Sequence, residues 1–356
     1  MIRLLKKVSR SLPLIMIILL AALLFLFPDV TVSGTKSGLQ VCAVSILPLL
    51  FPFFVISNIW SGLGYSEKIG SLCSPMMKKL FHLPGSAASA LLLGLVGGYP
   101  VGAQSVISQY RQKQLTSKDA EHLLMFCNNA GPAFIFGVAG QQLLHSPMAG
   151  AVLYLIHIAS AIMIGILFRP ALSTNKDIVP AQTRRPGVFS VLTTSVRQAG
   201  QAAVQVCTFV IFFSVLISYL QAFLTRTFFT TLLLGSVELA SGVWILKGIN
   251  NEAVTFCLIS FLLGWGGFCV AFQTLSILDE TDLSQGKYLM CKLLHGLISF
   301  LLAVAVVPLL PLSGQIFIYP TQAALPLLLI TTGFILIFLF VLLLKKTSGN
   351  AVRNQL

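Results

Sequence analysis

Charge is scarce in this sequence, and acidic charge above all: ten Asp and Glu stand against 23 Lys and Arg in 356 residues, and charged residues together make up 9%. A soluble globular domain carries roughly 25% charged residues, so a water-soluble fold is excluded. The few carboxylates leave no paired acid and base for general acid–base catalysis. The five histidines form no HExxH pattern, and neither a phosphate-binding loop nor a GxSxG elbow occurs. No enzymatic activity is therefore expected, and ATP-driven work would need a separate subunit. The seven cysteines contain no CxxC pair and mostly lie inside apolar runs, where Cys behaves as a small hydrophobe. Neither a disulfide framework nor a zinc site is expected. No cofactor is expected either, beyond a coupling ion, H+ or Na+.

What remains is apolar: 56% of residues are hydrophobic and the mean hydropathy is +0.91. Long apolar runs appear at about Leu12 to Phe27, Leu39 to Trp60, Ser86 to Ser108, Leu123 to Ala139 and Met148 to Phe168. A second set follows at Ala202 to Leu224, Phe228 to Leu246, Ala253 to Leu278, Leu289 to Leu312 and Ala323 to Leu344. A membrane helix needs about 20 apolar residues and must satisfy its own backbone hydrogen bonds. The chain therefore reads as an all-α, polytopic helical membrane protein with about 8–10 membrane segments, some re-entrant or broken. The net charge of +13 falls mainly between the runs, as the positive-inside bias requires, so no nucleic-acid partner is expected.

Residues 1–37 read as an N-terminal signal-anchor helix and loop, 38–168 as a first repeat half and 169–200 as a basic cytoplasmic linker. Residues 201–312 read as a second half, and 313–356 as a C-terminal transmembrane helix and basic tail. Basic clusters on both flanks of Ser86 to Ser108 predict a re-entrant hairpin turning at Gly97-Gly98-Tyr99-Pro100; the alternative is a simple span with a kink. Whether Phe228 to Leu246 spans or dips in is open.

The stretch Gly97 to Ser105 can be laid over Gly266 to Thr274, with both glycines, the valine and the glutamine identical. This match predicts a two-fold internal repeat. Paired glycines let a helix unwind or pack closely, and the freed amides then need protein, water or a ligand as partner. A second interruption, Asn128-Asn129-Ala130-Gly131-Pro132, places two amides in an apolar segment. Those amides suit a planar polar solute, and a helix N-terminus after Pro132 would favour an anionic group; tying helices together is the other reading. Glu238 is the one acidic residue inside a strongly apolar run, which marks it as a functional candidate. The candidate binding residues are therefore Gly98, Tyr99, Pro100, Gln104, Asn128, Asn129, Gly131, Pro132, Glu238, Gly267 and Gln273.

The ordered motifs Ile46 to Phe54, Gly98 to Ala103, Leu124 to Pro132, Glu238 to Gly242 and Gly264 to Gly267 followed by Gln273 resemble the sporulation integral membrane proteins of the YlbJ type. That family carries the nucleoside-recognition Gate domain and is distantly similar to concentrative nucleoside transporters. The resemblance implies paired hairpins, unwound helices and a solute-moving role in spore formation, with dipicolinate entry into the forespore as the leading candidate. Asn129, Cys269 and Phe272 depart from the pattern. The implied partners are a small-molecule solute, membrane lipid, and a second copy of the chain or other sporulation membrane proteins.

Overall fold

A computed structural model describes residues 2–65, 68, 72–170, 187–225, 227–246, 249 and 251–310, without the side chains of 2–13, Leu49 and Phe228. The predicted C-terminal span at Ala323 to Leu344 and the middle of the linker, 171–186, lie outside the described residues. Every regular element among the described residues is helical, and the protein is a multi-pass helical membrane protein.

Helix α1 (Ile2–Leu26) turns by 99° at Phe27 into α2 (Pro28–Val41), where Pro28 needs no hydrogen-bond acceptor in the first turn. Residues 28–37, expected as a loop, are therefore helical. The reason is packing: a Cβ on Gly34 would lie 2.8 Å from the Val215 Cα, and one on Gly38 2.7 Å from the Ile211 Cα. Those glycines let α2 lie directly on helix α9 (Val188–Phe223). A π-wound turn at Cys42–Ile46 leads into α3 (Leu47–Gly62).

α9 has 36 residues, about 54 Å at 1.5 Å per residue, and outruns a hydrocarbon core of about 30 Å. Its first three turns, 188–200, were expected to belong to the linker. They are helical because Val191, Ser195 and Ala199 are buried, and Asn58 of α3 donates to the Ser195 carbonyl at 3.3 Å.

Residues 87–111 form a hairpin: α4 (Ala87–Gly97) reverses at Gly98-Tyr99-Pro100 into α5 (Val101–Arg111). A Cβ on Gly94 would sit 3.1 Å from the Gly102 Cα and 1.8 Å from the Cys127 carbonyl oxygen, so three backbones meet there with no room for a side chain. α6 (Ser117–Cys127) starts with a Thr116–Asp119 capping box and is interrupted at Asn128 to Pro132 before the π-wound α7 (Ala133–Leu143). α8 (Pro147–Leu167) follows.

The second half of the chain repeats this order. α10 (Phe228–Val237) reverses at Glu238 into α11 (Leu239–Ile245), with a Cβ on Gly242 lying 2.5 Å from the Gly235 Cα. At about 15 and 10 Å each of these helices is too short to cross a hydrocarbon core of about 30 Å alone, and the chain folds back on itself between them. α12 (Glu252–Trp265) and α13 (Gly267–Leu278) continue one another as a 27-residue apolar stretch broken at Gly266-Gly267. α14 (Gln285–Val306) ends the described core. Among the described residues four stretches are long and apolar enough to cross a membrane, and the bent α1–α2 pair makes a fifth.

One expectation needs correcting. Gly97 to Ser105 and Gly266 to Thr274 do not occupy equivalent places: the first is the tip of a hairpin, the second the break in a through-going helix. By element order, the α4–α5 hairpin corresponds to α10–α11, and the Asn128 break to the Gly266 break. Paired glycines serve sharp reversal and local unwinding equally well, which is why the local match misleads.

Candidate functional site

Both hairpin tips and both helix breaks converge. A Cβ on Gly98 (φ +76°) would lie 2.7 Å from the Gly131 amide nitrogen, so hairpin one touches break one backbone to backbone. Gly267 (φ +81°) would place a Cβ 3.2 Å from the Leu239 nitrogen and 3.3 Å from the Val237 oxygen, joining break two to hairpin two. The Trp265 indole donates to the Ser236 carbonyl at 3.1 Å in the same seam. Tyr99 links the halves, its hydroxyl donating to the Leu263 carbonyl at 2.8 Å.

A cavity of about 50 Å³ lies at this junction, walled by Gly97, Gly98, Tyr99, Ala130, Gly131, Glu238 and Gln273, with apolar residues of the helix at Ile46 and of α9 closing one side. That space accommodates a few waters, since one water needs roughly 10–15 Å³ on this measure. A ring-sized solute requires more, so the hairpins must separate from the breaks to admit one.

Glu238 is 2% exposed, and its two carboxylate oxygens accept from the Ala240 and Ser241 amides at 2.8 and 2.6 Å. It caps α11 itself, satisfying donors that a helix N-terminus leaves without intrahelical partners. An external anion at this helix start would have to displace it. Gln273 is 1% exposed; its amide nitrogen reaches Cys269 Sγ at 3.4 Å, while its Oε1 has no hydrogen-bond partner among the described residues. A buried free acceptor on a cavity wall is a place for a donor.

Of the predicted residues, Gly98, Tyr99, Gly131, Glu238 and Gln273 thus share one cavity. Pro100 and Pro132 flank it as the residues that start α5 and α7. Gly267 supports it from behind. Asn128 is buried but turned away: its Nδ2 donates to Thr274 Oγ1 at 2.9 Å and to the Tyr288 hydroxyl at 3.0 Å, and its Oδ1 accepts from the Ala103 amide at 3.4 Å. Asn129 donates to the Phe126 carbonyl at 2.8 Å, with no partner for its Oδ1 among the described residues. The N-terminus after Pro132 is partly closed on itself, since the Phe134 and Ile135 amides both donate to the Gly131 carbonyl at 3.1 Å. Gln104 does not join the site; it is half-buried beside Ser108, Arg111 and Gln112 in a separate surface depression. Its pairing with Gln273 fails with the misplaced repeat.

Sequence reasoning missed the polar network behind Tyr99. Lys292 Nζ donates to the Asn128 main-chain oxygen at 3.0 Å and to His295 Nδ1 at 3.2 Å, and lies 5.2 Å from the Tyr99 ring centroid. His295 stacks on His157 at 4.6 Å and donates from Nε2 to its carbonyl at 3.1 Å, while His157 Nε2 accepts from the Ala130 amide at 3.1 Å. Ser160 and Ser299 close the row at 2.7 Å. A signal for it exists: Tyr288, Lys292, His295 and Ser299 are spaced to fall on one face of α14.

Paired hairpins whose tips meet two interrupted helices inside an apolar bundle define a class of polytopic membrane protein with its polar groups gathered at the breaks. The nucleoside-recognition Gate family matches residues 43–174, which hold hairpin one, break one and α8. The sporulation integral membrane protein YlbJ of Bacillus subtilis (strain 168) is 26% identical across 82% of this chain and 81% of its own length. Over most of its length the chain is thus similar to a sporulation integral membrane protein, and over residues 43–174 to the Gate family. The inner membrane protein YjiG of Escherichia coli (strain K12) is 31% identical over a shorter stretch, 22% of this chain and 52% of its own. No solved structure matches.

Proposed function

We propose that this protein is a carrier that moves a small, planar, polar or anionic aromatic solute across the membrane during spore formation, with dipicolinate as the leading solute. The observation that carries this reading is the cavity where two hairpin tips meet two helix breaks. Discontinuous helices in corresponding places of two halves build midplane solute sites in secondary carriers. Bare peptide planes at Gly97, Gly98, Ala130 and Gly131 and the Tyr99 ring make flat walls, which suit a flat solute. Gln273 Oε1 offers an acceptor on the cavity wall, and the Lys292 charge behind Tyr99 favours an anionic group on that side. The family name of the Bacillus relative supports the sporulation setting.

Reconstituted full-length protein should take up radiolabelled dipicolinate saturably, with competition by related aromatic carboxylates. Gly98→Val, which blocks the hairpin tip, should abolish uptake. If purified protein binds neither dipicolinate nor any nucleoside in a ligand panel, the carrier reading is wrong and a non-transporting role in spore-envelope assembly takes its place.

A further inference from the structure

Lys292 is 1% exposed, and among the described residues it pairs with no carboxylate; the ion pairs there, Arg111–Glu280 and Lys287–Glu121, lie elsewhere. A charge buried without a counter-charge is costly and uncommon, and inside a membrane it marks an ion or proton pathway.

The surroundings of Lys292 match an ammonium donor for donor. Its three N–H groups face the Asn128 main-chain oxygen at 3.0 Å, His295 Nδ1 at 3.2 Å and the Tyr99 hydroxyl oxygen at 3.5 Å. The two acceptors that could also donate are each held in the right state by a further partner. The His157 carbonyl can only accept, so the proton of neutral His295 sits on Nε2 and its Nδ1 presents a lone pair to Lys292. Tyr99 spends its hydroxyl proton on the Leu263 carbonyl, which leaves its oxygen free to accept. The three acceptors come from three parts of the fold: break one, hairpin one and α14. Main-chain carbonyls freed by a helix break are where carriers of this build hold their coupling cation. Here that carbonyl, Asn128 O, is met by a cation tethered to the chain.

We propose that Lys292 is the protein's own occupant of its cation site, and that the proton it carries, rather than a sodium ion, is the coupling ion. Calling it a coupling ion rests on the carrier reading above; the proton site itself does not. When Nζ releases its proton, first along the 3.2 Å contact to His295 Nδ1 and from there out of the protein, a neutral amine and a neutral imidazole are left and the site holds one proton fewer. The amine then lacks one donor, and hairpin one, break one and α14 lose part of what ties them together. Among the described residues, the other titratable groups facing the site are Tyr99 from hairpin one, Cys127 from α6, His157 from α8, and Tyr288 and Cys291 on α14 itself; from α13 it is the Thr274 hydroxyl, which does not titrate, that reaches this network.

The test uses the full chain in detergent and needs no solute. Thermal midpoints of wild type and Lys292→Met are compared from about pH 6 to about pH 9, in sodium chloride and in choline chloride. The difference between the two proteins should change across that range by about 3 °C or more, equally in both salts. Parallel curves, or wild type stabilised by sodium over choline, overturn the proposal. Should Lys292→Met fail to fold, Lys292→Arg decides: its guanidinium stays charged, so the wild-type pH step should vanish, and a step that persists belongs to another group. In vesicles the wild type should accumulate labelled dipicolinate when driven by a pH gradient, in sodium and in choline alike. A wild type that exchanges no dipicolinate would sink the proposed function while leaving the thermal comparison to decide the proton site.

Discussion

The two halves solve one geometric problem with different residues. In the first, the break is five residues long, Asn128 to Pro132, and its freed groups are taken up by side chains: Asn129, His157 and, from the other half, Lys292. In the second, the break is two left-handed glycines, Gly266 and Gly267 at φ +82° and +81°, attended by two aromatic side chains, Trp265 and, from the other half, Tyr99. The hairpins differ in the opposite sense. Hairpin one turns on glycine and an aromatic ring with no charge at its tip, whereas hairpin two turns on a carboxylate that caps its own returning helix. Each half therefore holds one polar-rich and one glycine-built interruption, and the polar-rich ones sit at different elements. A half that copied the other side chain for side chain would place two carboxylates around one small cavity.

The comparison breaks most sharply at the glycine contacts. Gly94→Val puts a side chain where even a Cβ would be 1.8 Å from the Cys127 oxygen, with backbone on both sides and nothing that can swing aside. A cost above about 4 kcal/mol is expected, the range reserved for outright steric exclusion in a core. Fluorescence-detected size exclusion should show no monodisperse protein. Gly242→Ala in the second hairpin meets the Gly235 Cα and carbonyl oxygen at 2.5 Å, so α10 and α11 must part to admit even a methyl. It should fold with a lowered thermal midpoint, and wild-type stability would show that the two backbones need not meet.

Next in size is the side-chain network of break one. Asn128→Ala removes two donated bonds and leaves the Ala103 amide without its side-chain acceptor, at a cost of about 2–3 kcal/mol for buried groups. The same loss should appear in Thr274→Val combined with Tyr288→Phe, and the triple variant should cost little more than either. An additive triple would show that the three do not act as one unit.

Glu238→Ala tests the cap in hairpin two. Losing both accepted bonds should cost about 1–2 kcal/mol, the upper part of the N-cap range, and Glu238→Gln, which keeps one acceptor oxygen, about half that. Thermal midpoints in detergent give the ranking. If Glu238→Ala is as stable as wild type while uptake is lost, the carboxylate serves the solute rather than the helix.

The fold class was legible because apolar length and charge position are read over whole runs, and the reversal at Gly98 was legible because basic residues flank both ends of its hairpin. Helix α2 was not, since its polar composition hides that Gly34 and Gly38 exist to meet α9. Glu238 stood out as a lone acid among apolar neighbours, and Tyr99 and Gly131 through their place beside breaks. Lys292 stayed hidden because a basic residue near a helix start reads as a topological flank, and because its acceptors are main-chain Asn128, Tyr99 and His295 from separate elements rather than a carboxylate nearby. The repeat register was missed for a related reason: Gly-Gly followed by an aromatic describes local freedom, and only tertiary contacts decide whether the chain uses it to reverse or to unwind.

The two glutamines that this mistaken register paired give the smallest and cleanest contrast. Gln273 is buried on the cavity wall with a free Oε1; Gln104 is half-buried in a depression outside it. Gln273→Leu removes an acceptor that has nothing to lose within the protein, so stability should hold or rise by about 1 kcal/mol, because a buried unsatisfied group carries its full desolvation cost. Solute uptake should fall at least tenfold, as expected when a site loses one oriented hydrogen bond of about 1.4 kcal/mol or more. Gln104→Leu should leave both within error, since changes at such positions stay inside about 0.5 kcal/mol. If the two variants behaved alike, in stability and in uptake, the nonapeptide match would describe a true functional pair and the element-order pairing of hairpin with hairpin would lose its meaning for the site.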